Sequence, residues 1–158
     1  LLRDACLGPG LAASSARDAT RDELLDFLMA VRVGPGLGAG CLTWLHHYPA
    51  SQAALARIDP DEPGTALRFE VYADGVELAN GFVELASVDE QRARFEADLA
   101  ERRRRSLPEP AIDESLLAAL RAGLPPCAGV ALGFDRVVML ALGARRIDEA
   151  VAFGWDRA

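Results

Sequence analysis

The chain has 158 residues, of which 51% are hydrophobic and 26% are charged, values typical of one folded globular domain. Its net charge of −7 and its pI of about 4.8 argue against a domain that coats nucleic acid. Three cysteines without CxxC spacing give no sign of a disulfide framework or a zinc site, and no apolar run approaches the roughly 18 residues of a membrane span.

The start of the chain, LLRDACLGPG, has neither an initiator methionine nor a basic segment that leads into an apolar run. We therefore expect a piece of a longer protein rather than a signal peptide, with residues 1–19 irregular. The cysteine usage favours a reducing, cytoplasmic setting. All 17 basic residues are arginine, which we attribute to coding bias, so arginine counts carry no functional weight.

A capping box predicts the first helix of the chain. Thr20 and Glu23 have the spacing of that motif, and they precede an apolar face that extends over about residues 22–32. The loop GPGLGAG (34–40) ends this helix. Because the loop lacks the GK[ST] ending of a phosphate-binding loop, it favours a flexible connector over a nucleotide cradle. After it we expect a short strand over 41–45 and a short helical piece over 52–58.

The next stretch, RFEVYADGVELANGFVEL (68–85), predicts a β-hairpin, because Asp74-Gly75 is a strong two-residue turn signal. With that turn, Glu70 pairs with Ala79 and shares a face with Glu77, their Cα atoms roughly 7–8 Å apart. Two neighbouring carboxylates repel each other, and Mg²⁺ bound with phosphate oxygens relieves the repulsion. The same spacing also fits a solvated outer face of the sheet, where glutamates are common.

Strict alternation places Asn80, Phe82 and Glu84 on the opposite face of this hairpin. Gly81 lies among them, and a glycine inside a strand often marks a bulge that redirects side chains. We therefore predict a break in alternation at 79–81 that brings Asn80 and Glu84 into the same cavity as the acidic pair.

Two further helices follow. Ser87 and Glu90 form a second capping box, which begins a helix that extends to about residue 105, and Asp113 caps another helix over 114–123. The run ERRRRS (101–106) suits the carboxyl end of a helix exposed to solvent. The alternative is a patch that contacts an acidic partner or tRNA.

The stretch GVALGFDRVVML (129–140) reads as a strand over 130–134, a turn, and a helix from Asp135 to about residue 142. We expect Asp135 at the N-cap and Arg136 at the first helical position. An arginine there opposes the helix dipole, unless the helix terminus and the guanidinium both face a phosphate. A surface arginine paired with an acid remains the alternative. Together the elements predict an α+β fold with an antiparallel or mixed sheet flanked by helices.

The two stretches RFEVYADGVELANGFVEL (68–85) and GVALGFDRVVML (129–140) resemble the carboxyl-terminal part of the class II lysyl-tRNA synthetase catalytic domain. Residues 129–143 are similar to motif 3 of that class. Other segments, YPASQAALA, LPEPAIDESLLAAL and MLALGARRIDEAVAF, look more like the short paralogues that ligate (R)-β-lysine to elongation factor P. The resemblance extends over nearly the whole chain from about residue 20. It implies a partial class II catalytic domain, with motifs 1 and 2 absent from residues 1–158.

The resemblance also implies roles for individual residues. Glu70 and Glu77 match acids that hold Mg²⁺ against ATP, and Arg136 matches the arginine that binds the terminal phosphates. Substrate contacts and pocket shape are implied for a further set of positions: Asn80, Gly81, Phe82, Glu84, Gly129, Ala131 and Gly133. Within that set, Asn80 and Glu84 match the residues that bind the lysine-type substrate, with Glu84 facing a cationic amine.

By the same resemblance, the full-length protein adenylates lysine or (R)-β-lysine and transfers it to elongation factor P, with tRNA(Lys) as the alternative acceptor. The resemblance also implies that the full-length protein is a homodimer that does not associate with a membrane. We expect the fragment alone to be inactive, and a non-catalytic remnant is the third possibility. Two positions depart from the tRNA-charging pattern. Ala131 replaces a glycine, and its methyl group favours a substrate whose amine lies one carbon further along. His47 replaces an aspartate, and a packing or solvent-facing role is favoured over a metal or catalytic one.

Overall fold

A four-stranded antiparallel sheet in the order β1-β2-β3-β4 forms the centre of the computed structural model, which describes residues 1–155. The strands are β1 (Thr43–Pro49), β2 (Thr65–Ala73), β3 (Val76–Val83) and β4 (Ala128–Leu132). The α-helices are α1 (Leu2–Leu7), α2 (Ala13–Asp18), α3 (Arg21–Leu28), α4 (Val88–Arg104), α5 (Glu114–Ala122) and α6 (Phe134–Ala141). The α+β class with a helix-flanked antiparallel sheet is therefore confirmed.

The turn between β2 and β3 is the two-residue hairpin that the sequence predicts. Asp74 and Gly75 both have positive φ, 47° and 74°, as a type I′ turn requires. The glycine-rich loop 34–40 packs against this turn, since Asp74 N–H donates to the Gly38 carbonyl at 2.9 Å and Gly75 N–H to that of Leu37 at 2.7 Å. The loop is thus a brace for the hairpin, and the prediction of a flexible connector was wrong.

The first half of the chain is more helical at its start and less helical later than expected. Short helices α1 and α2 lie in the segment predicted to be irregular, and Cys6 of α1 is fully buried. The capping box before α3 is confirmed: Glu23 N–H donates to Thr20 Oγ1 at 3.3 Å, and Thr20 N–H donates to the Glu23 carboxylate at 2.7 Å. Helix α3 then continues as a π-helical turn over Met29–Val33.

The predicted helical piece at 52–58 forms only a 3₁₀ turn at Ala50–Gln52. Beyond that turn the backbone pairs with the sheet instead. Arg57 N–H donates to the Val83 carbonyl at 2.8 Å, and the Arg57 carbonyl accepts from Leu67 N–H at 2.9 Å. These long-range bonds to β2 and β3 outweigh the helix propensity of an alanine-rich segment.

The predicted cap residues begin the two helices after the hairpin. The Ser87 side chain accepts from Glu90 N–H at 3.3 Å, and Asp113 caps α5 through Leu116 N–H at 3.0 Å. The arginine run at the end of α4 is occupied within the chain: Arg103 pairs with Glu109 at 2.6 Å, and further arginines of the run pair with Glu101 and Glu23. These pairs fit the solvent-exposed helix end that the sequence favoured, and the binding patch stays a prediction.

A core cluster of small residues lies by the start of β2 and the end of β3. Ala53, Ala56 and Ala66 are buried together, and Ile58 and Phe82 pack against them. Within residues 1–155, no helix combines the length and apolar character that crossing a membrane requires.

Candidate functional site

A β-bulge in β3 determines which side chains share a face of the sheet. Tyr72 pairs with Glu77, but the register shifts next, so that Glu70 pairs with Asn80 rather than with Ala79. The extra residue is Leu78, and the predicted bulge at 79–81 was therefore misplaced. Because directly paired residues project to the same side, the bulge places the acids and Asn80 on one face, which we call the site face.

Glu70 lies at the centre of this face and is only 7% exposed. Its Oε1 accepts from Arg68 Nη2 at 2.6 Å and from Asn80 Nδ2 at 3.5 Å, and its Oε2 accepts from the Tyr72 hydroxyl at 2.6 Å. A buried carboxylate is costly unless it is paired and hydrogen-bonded, and these donors satisfy that requirement. Glu70 is thus held in one orientation, unlike the bare acid that the sequence alone had indicated.

Tyr48 and Tyr72 flank Glu70 on the same face. Burial, followed by the neighbouring Glu70 carboxylate, raises the pKa of both phenols above the usual value of 10. Both hydroxyl groups therefore stay protonated at neutral pH. In that form Tyr72 donates to Glu70, so the phenol supports the ionised acid.

Glu77 and Arg136 lie at the opposite end of the site face. Arg136 Nη1 donates to the Glu77 backbone carbonyl at 2.7 Å and lies 3.8 Å from the Glu77 carboxylate. The side chains of Arg136 and Glu77 are 49% and 36% exposed, so both retain freedom to move toward a ligand. The sequence therefore predicted the proximity of these two groups correctly.

The bulge also determines where α6 begins. Gly133 N–H donates to the carbonyl of the bulged Leu78 at 2.8 Å, which fixes the turn between β4 and the helix. Helix α6 consequently starts at Phe134, with Gly133 at the N-cap, and the predicted capping role of Asp135 was wrong. Arg136 is the third helical residue instead of the first, and its side chain reaches back over Gly133 toward β3.

The remaining predicted residues lie further along the site face. Asn80 pairs with Ala131 and Phe82 pairs with Gly129, so β4 supplies only small side chains opposite these residues. Glu84 extends over Gly129, where a Cβ atom would lie 2.7 Å from Glu84 Oε1. Gly129 is thus required to be small so that the glutamate can occupy its position.

The acidic pair and the arginine open into one cavity of ≈ 970 Å³. Its lining includes Glu70, Glu77 and Arg136, together with Arg68 and Tyr72. The substrate residues predicted beside them, namely Asn80, Phe82, Glu84, Ala131 and Gly133, lie on the adjoining part of the sheet and are not part of this lining. The structure therefore brings together the predicted phosphate and cation groups in one hollow, with the other positions next to it.

The donor chemistry of the cavity fits a hard divalent ion. Within the described residues, no group of three or more His, Cys, Asp or Glu side chains is arranged to hold a metal. An ion here would rest on the carboxylates of Glu70 and Glu77, with ligand and water oxygens completing its shell. This arrangement suits Mg²⁺, which typically takes one or two protein carboxylates and is bound together with phosphates.

His47 lies outside this cavity. It sits at a second bulge, between His46 and Tyr48, with φ of 58°, and its Nε2 is 3.8 Å from Asp59 Oδ2. Its ring also contacts the ring of His46. Its side chain is 45% exposed beside a neighbouring acid, which matches the solvent-facing role that the sequence favoured.

Arg68 is the main site residue that sequence reasoning missed. It precedes Glu70 by two positions, and Tyr72 follows Glu70 by two, so strand alternation alone places all three on one face. The signal was therefore present. It was hidden because every basic residue of the chain is an arginine and none stood out.

Comparison with known proteins identifies the family of the chain. The family model "tRNA synthetases class II (D, K and N)" matches residues 37–157. The chain belongs to the class II tRNA synthetases. Among relatives of this synthetase chain, an "Elongation factor P--(R)-beta-lysine ligase" of Klebsiella pneumoniae subsp. pneumoniae is 52% identical over 157 residues, which cover 99% of this chain and 48% of the relative.

Relatives with the same name occur in other bacteria. The proteins of Pectobacterium carotovorum subsp. carotovorum and Salmonella arizonae are both 49% identical, over 99% of this chain and 48% of their own length. The class II synthetase chain therefore spans about half the length of the curated relatives it matches.

Proposed function

We propose that the full-length protein activates (R)-β-lysine or lysine with ATP and transfers the acyl group to a lysine of elongation factor P. The observation that carries this proposal is the shared cavity of Glu70, Glu77 and Arg136, which combines two acids with an anion-binding cation. The names of the relatives at about 50% identity support the choice of substrates. A cytoplasmic homodimer is the form in which we expect the full-length protein to act.

The residues of the cavity have different roles in binding ATP. Glu70 and Glu77 would hold Mg²⁺, which supplies charge neutralisation on the phosphate oxygens when it is bound. Arg136 binds the terminal phosphates after it gives up its hydrogen bond to the Glu77 carbonyl. A charged phosphate oxygen then replaces a neutral acceptor, which strengthens the bond. Its exposure leaves it free to make this exchange.

The adjoining positions bind the amino acid in this proposal. Glu84, one residue beyond the end of β3, faces the cationic amine, and Asn80 lies directly opposite Glu70 in the sheet. Ala131 pairs with Asn80, so its methyl group lies on the same side of the sheet. That methyl narrows the space for an amine on the α-carbon, which is why the β-amine isomer is favoured.

The reaction needs no nucleophile or base from the protein. The carboxylate oxygen of the amino acid attacks the α-phosphorus of ATP, and the bond to the β-phosphate oxygen breaks to release pyrophosphate. An amine of elongation factor P then attacks the acyl carbon, AMP leaves with the bonding electron pair, and the amine loses a proton. The residues of the site contribute by positioning the reactants and by neutralising charge.

The proposal is tested by pyrophosphate exchange with the full-length protein, followed by transfer to purified elongation factor P or tRNA(Lys). We expect exchange with (R)-β-lysine, transfer to elongation factor P, and a loss of at least about 100-fold in exchange for Glu77→Gln, since one of the two carboxylates proposed to bind Mg²⁺ is removed. Transfer to tRNA(Lys) would instead assign a tRNA-charging enzyme. Tight binding of an acyl-adenylate analogue without exchange would assign a non-catalytic remnant.

A further inference from the structure

Arg68 connects the two halves of the site face. Its three guanidinium nitrogens all have acceptors: Nη2 reaches Glu70 Oε1 at 2.6 Å, Nε reaches Asn80 Oδ1 at 3.5 Å, and Nη1 reaches the Gln52 carbonyl at 3.1 Å. The guanidinium carbon also lies 4.3 Å from the centre of the Tyr48 ring. The Arg68 guanidinium thus contacts both Glu70, which is proposed to bind the metal ion, and Asn80, which is proposed to bind the amino acid.

The burial of this group makes its contacts effective. The Arg68 side chain is 19% exposed and that of Glu70 is 9% exposed, so water screens the pair weakly. A planar guanidinium with fixed donors constrains the acceptors around it more tightly than an ammonium group does. The carbonyl of Gln52 and the ring of Tyr48 hold the guanidinium in turn, so its position does not depend on a ligand.

We propose that Arg68 is a positioning residue that presets Glu70 and Asn80 together, so that the cation–phosphate site and the amino-acid site form as one unit. This inference rests on the proposed function. In this role Arg68 acts through Glu70 and Asn80 rather than through a contact of its own with either substrate. Its loss would leave Glu70 without its closest cationic partner and Asn80 without a donor to its carbonyl, so binding at both sites would weaken together.

Arg92 provides a control arginine outside the cavity. Its side chain is 35% exposed, and it donates twice to Glu114, from Nη1 to Oε1 at 3.1 Å and from Nη2 to Oε2 at 2.7 Å. These contacts involve neither Glu70 nor Asn80, and Arg92 is not part of the cavity lining. An Arg92→Lys variant therefore changes a salt-bridged arginine without touching the site face.

The experiment compares full-length wild type with Arg68→Lys, Arg68→Met and Arg92→Lys. Calorimetry measures binding of a non-hydrolysable ATP analogue as Mg²⁺ is titrated, denaturant unfolding checks the fold, and exchange kinetics give KM for the amino acid. For Arg68→Lys we expect roughly a tenfold rise in the Mg²⁺ concentration for half-maximal binding and a comparable rise in KM, the usual scale for an outer-shell partner. Arg92→Lys should stay within about twofold on both.

The outcomes separate the inference from the function on which it rests. Wild type that fails to bind the analogue would overturn the proposed function itself. Wild type that binds, with Arg68→Lys or Arg68→Met folded and unchanged in Mg²⁺ dependence and KM, would overturn only the positioning role. Unfolding of both Arg68 variants under conditions where Arg92→Lys is folded would assign Arg68 to the stability of the sheet and would also contradict the proposal.

Discussion

Substitution of Gly129 by alanine should weaken amino-acid binding without unfolding the protein. The new Cβ would lie 2.7 Å from Glu84 Oε1, whereas ordinary van der Waals contact begins at 3.4 Å. The carboxylate must therefore retreat by roughly 0.7 Å. Because that group is the end of a flexible side chain, the movement costs little folding free energy, but it displaces the charge that we assign to the substrate amine.

The size of the effect follows from Coulomb's law. At an effective dielectric constant of about 20, moving a carboxylate from roughly 2.8 to 3.5 Å from an ammonium group costs about 1 kcal/mol. That free energy corresponds to a rise of roughly five- to tenfold in KM for the amino acid. The affinity for ATP should stay unchanged, since Glu84 lies outside the cavity that holds Glu70, Glu77 and Arg136.

The assay is pyrophosphate exchange by the full-length protein, with the amino acid and ATP varied separately. Gly8→Ala is the control, because Gly8 has a right-handed helical conformation with φ of −59° and no atom within 4 Å of its would-be Cβ. An unchanged KM for the amino acid in folded Gly129→Ala would refute the assignment of Glu84. An equal rise in KM for ATP would show that the two substrate regions are not divided as we describe.

Three further outcomes follow from the structure. Tyr72→Phe removes the hydroxyl that donates to buried Glu70 and should lower the free energy of unfolding by about 1.5–3 kcal/mol in denaturant titrations; a loss below about 0.5 kcal/mol would contradict this bond. Ala131→Gly should raise the kcat/KM ratio of α-lysine over (R)-β-lysine by at least about tenfold in exchange assays, the scale of one methyl group in a tight pocket, and an unchanged ratio would reject its role in selectivity. The backbone and then the hydroxyl of Thr20 lower the pKa of Glu23 from 4.5 to about 2, so the stability from this group is complete above pH 4.5 and is lost as the pH falls toward 2. Glu23→Gln should therefore flatten the dependence of the unfolding midpoint on pH in this range, and an unchanged slope would contradict the cap.

The parts of the fold that the sequence predicted correctly depend on neighbouring residues. The Asp74-Gly75 turn and the caps at Thr20 and Asp113 each require only a few adjacent side chains and backbone groups. Once the turn is fixed, strand pairing within the hairpin places Glu70 and Glu77 near each other. These features could be predicted because their chemistry is complete within a short segment.

The parts that were missed depend on contacts distant in sequence. The carbonyl of the bulged Leu78 accepts from Gly133 N–H, a partner 55 positions further along the chain. The same bond fixes the turn before α6, so that the helix starts earlier than predicted and Arg136 is its third residue instead of its first. The network around Arg68 likewise exists only once Glu70 is paired with Asn80. Neither could be derived without the register of the sheet.

The central claim is that Glu70, Glu77 and Arg136 form one site for a triphosphate and its divalent cation. A crystal structure of the full-length protein with a non-hydrolysable ATP analogue and Mn²⁺ tests this most directly, since anomalous scattering locates the ion. We predict Mn²⁺ bound to the carboxylates of Glu70 and Glu77, with Arg136 against the terminal phosphates. An ion bound elsewhere, or a triphosphate outside this cavity, would contradict the claim.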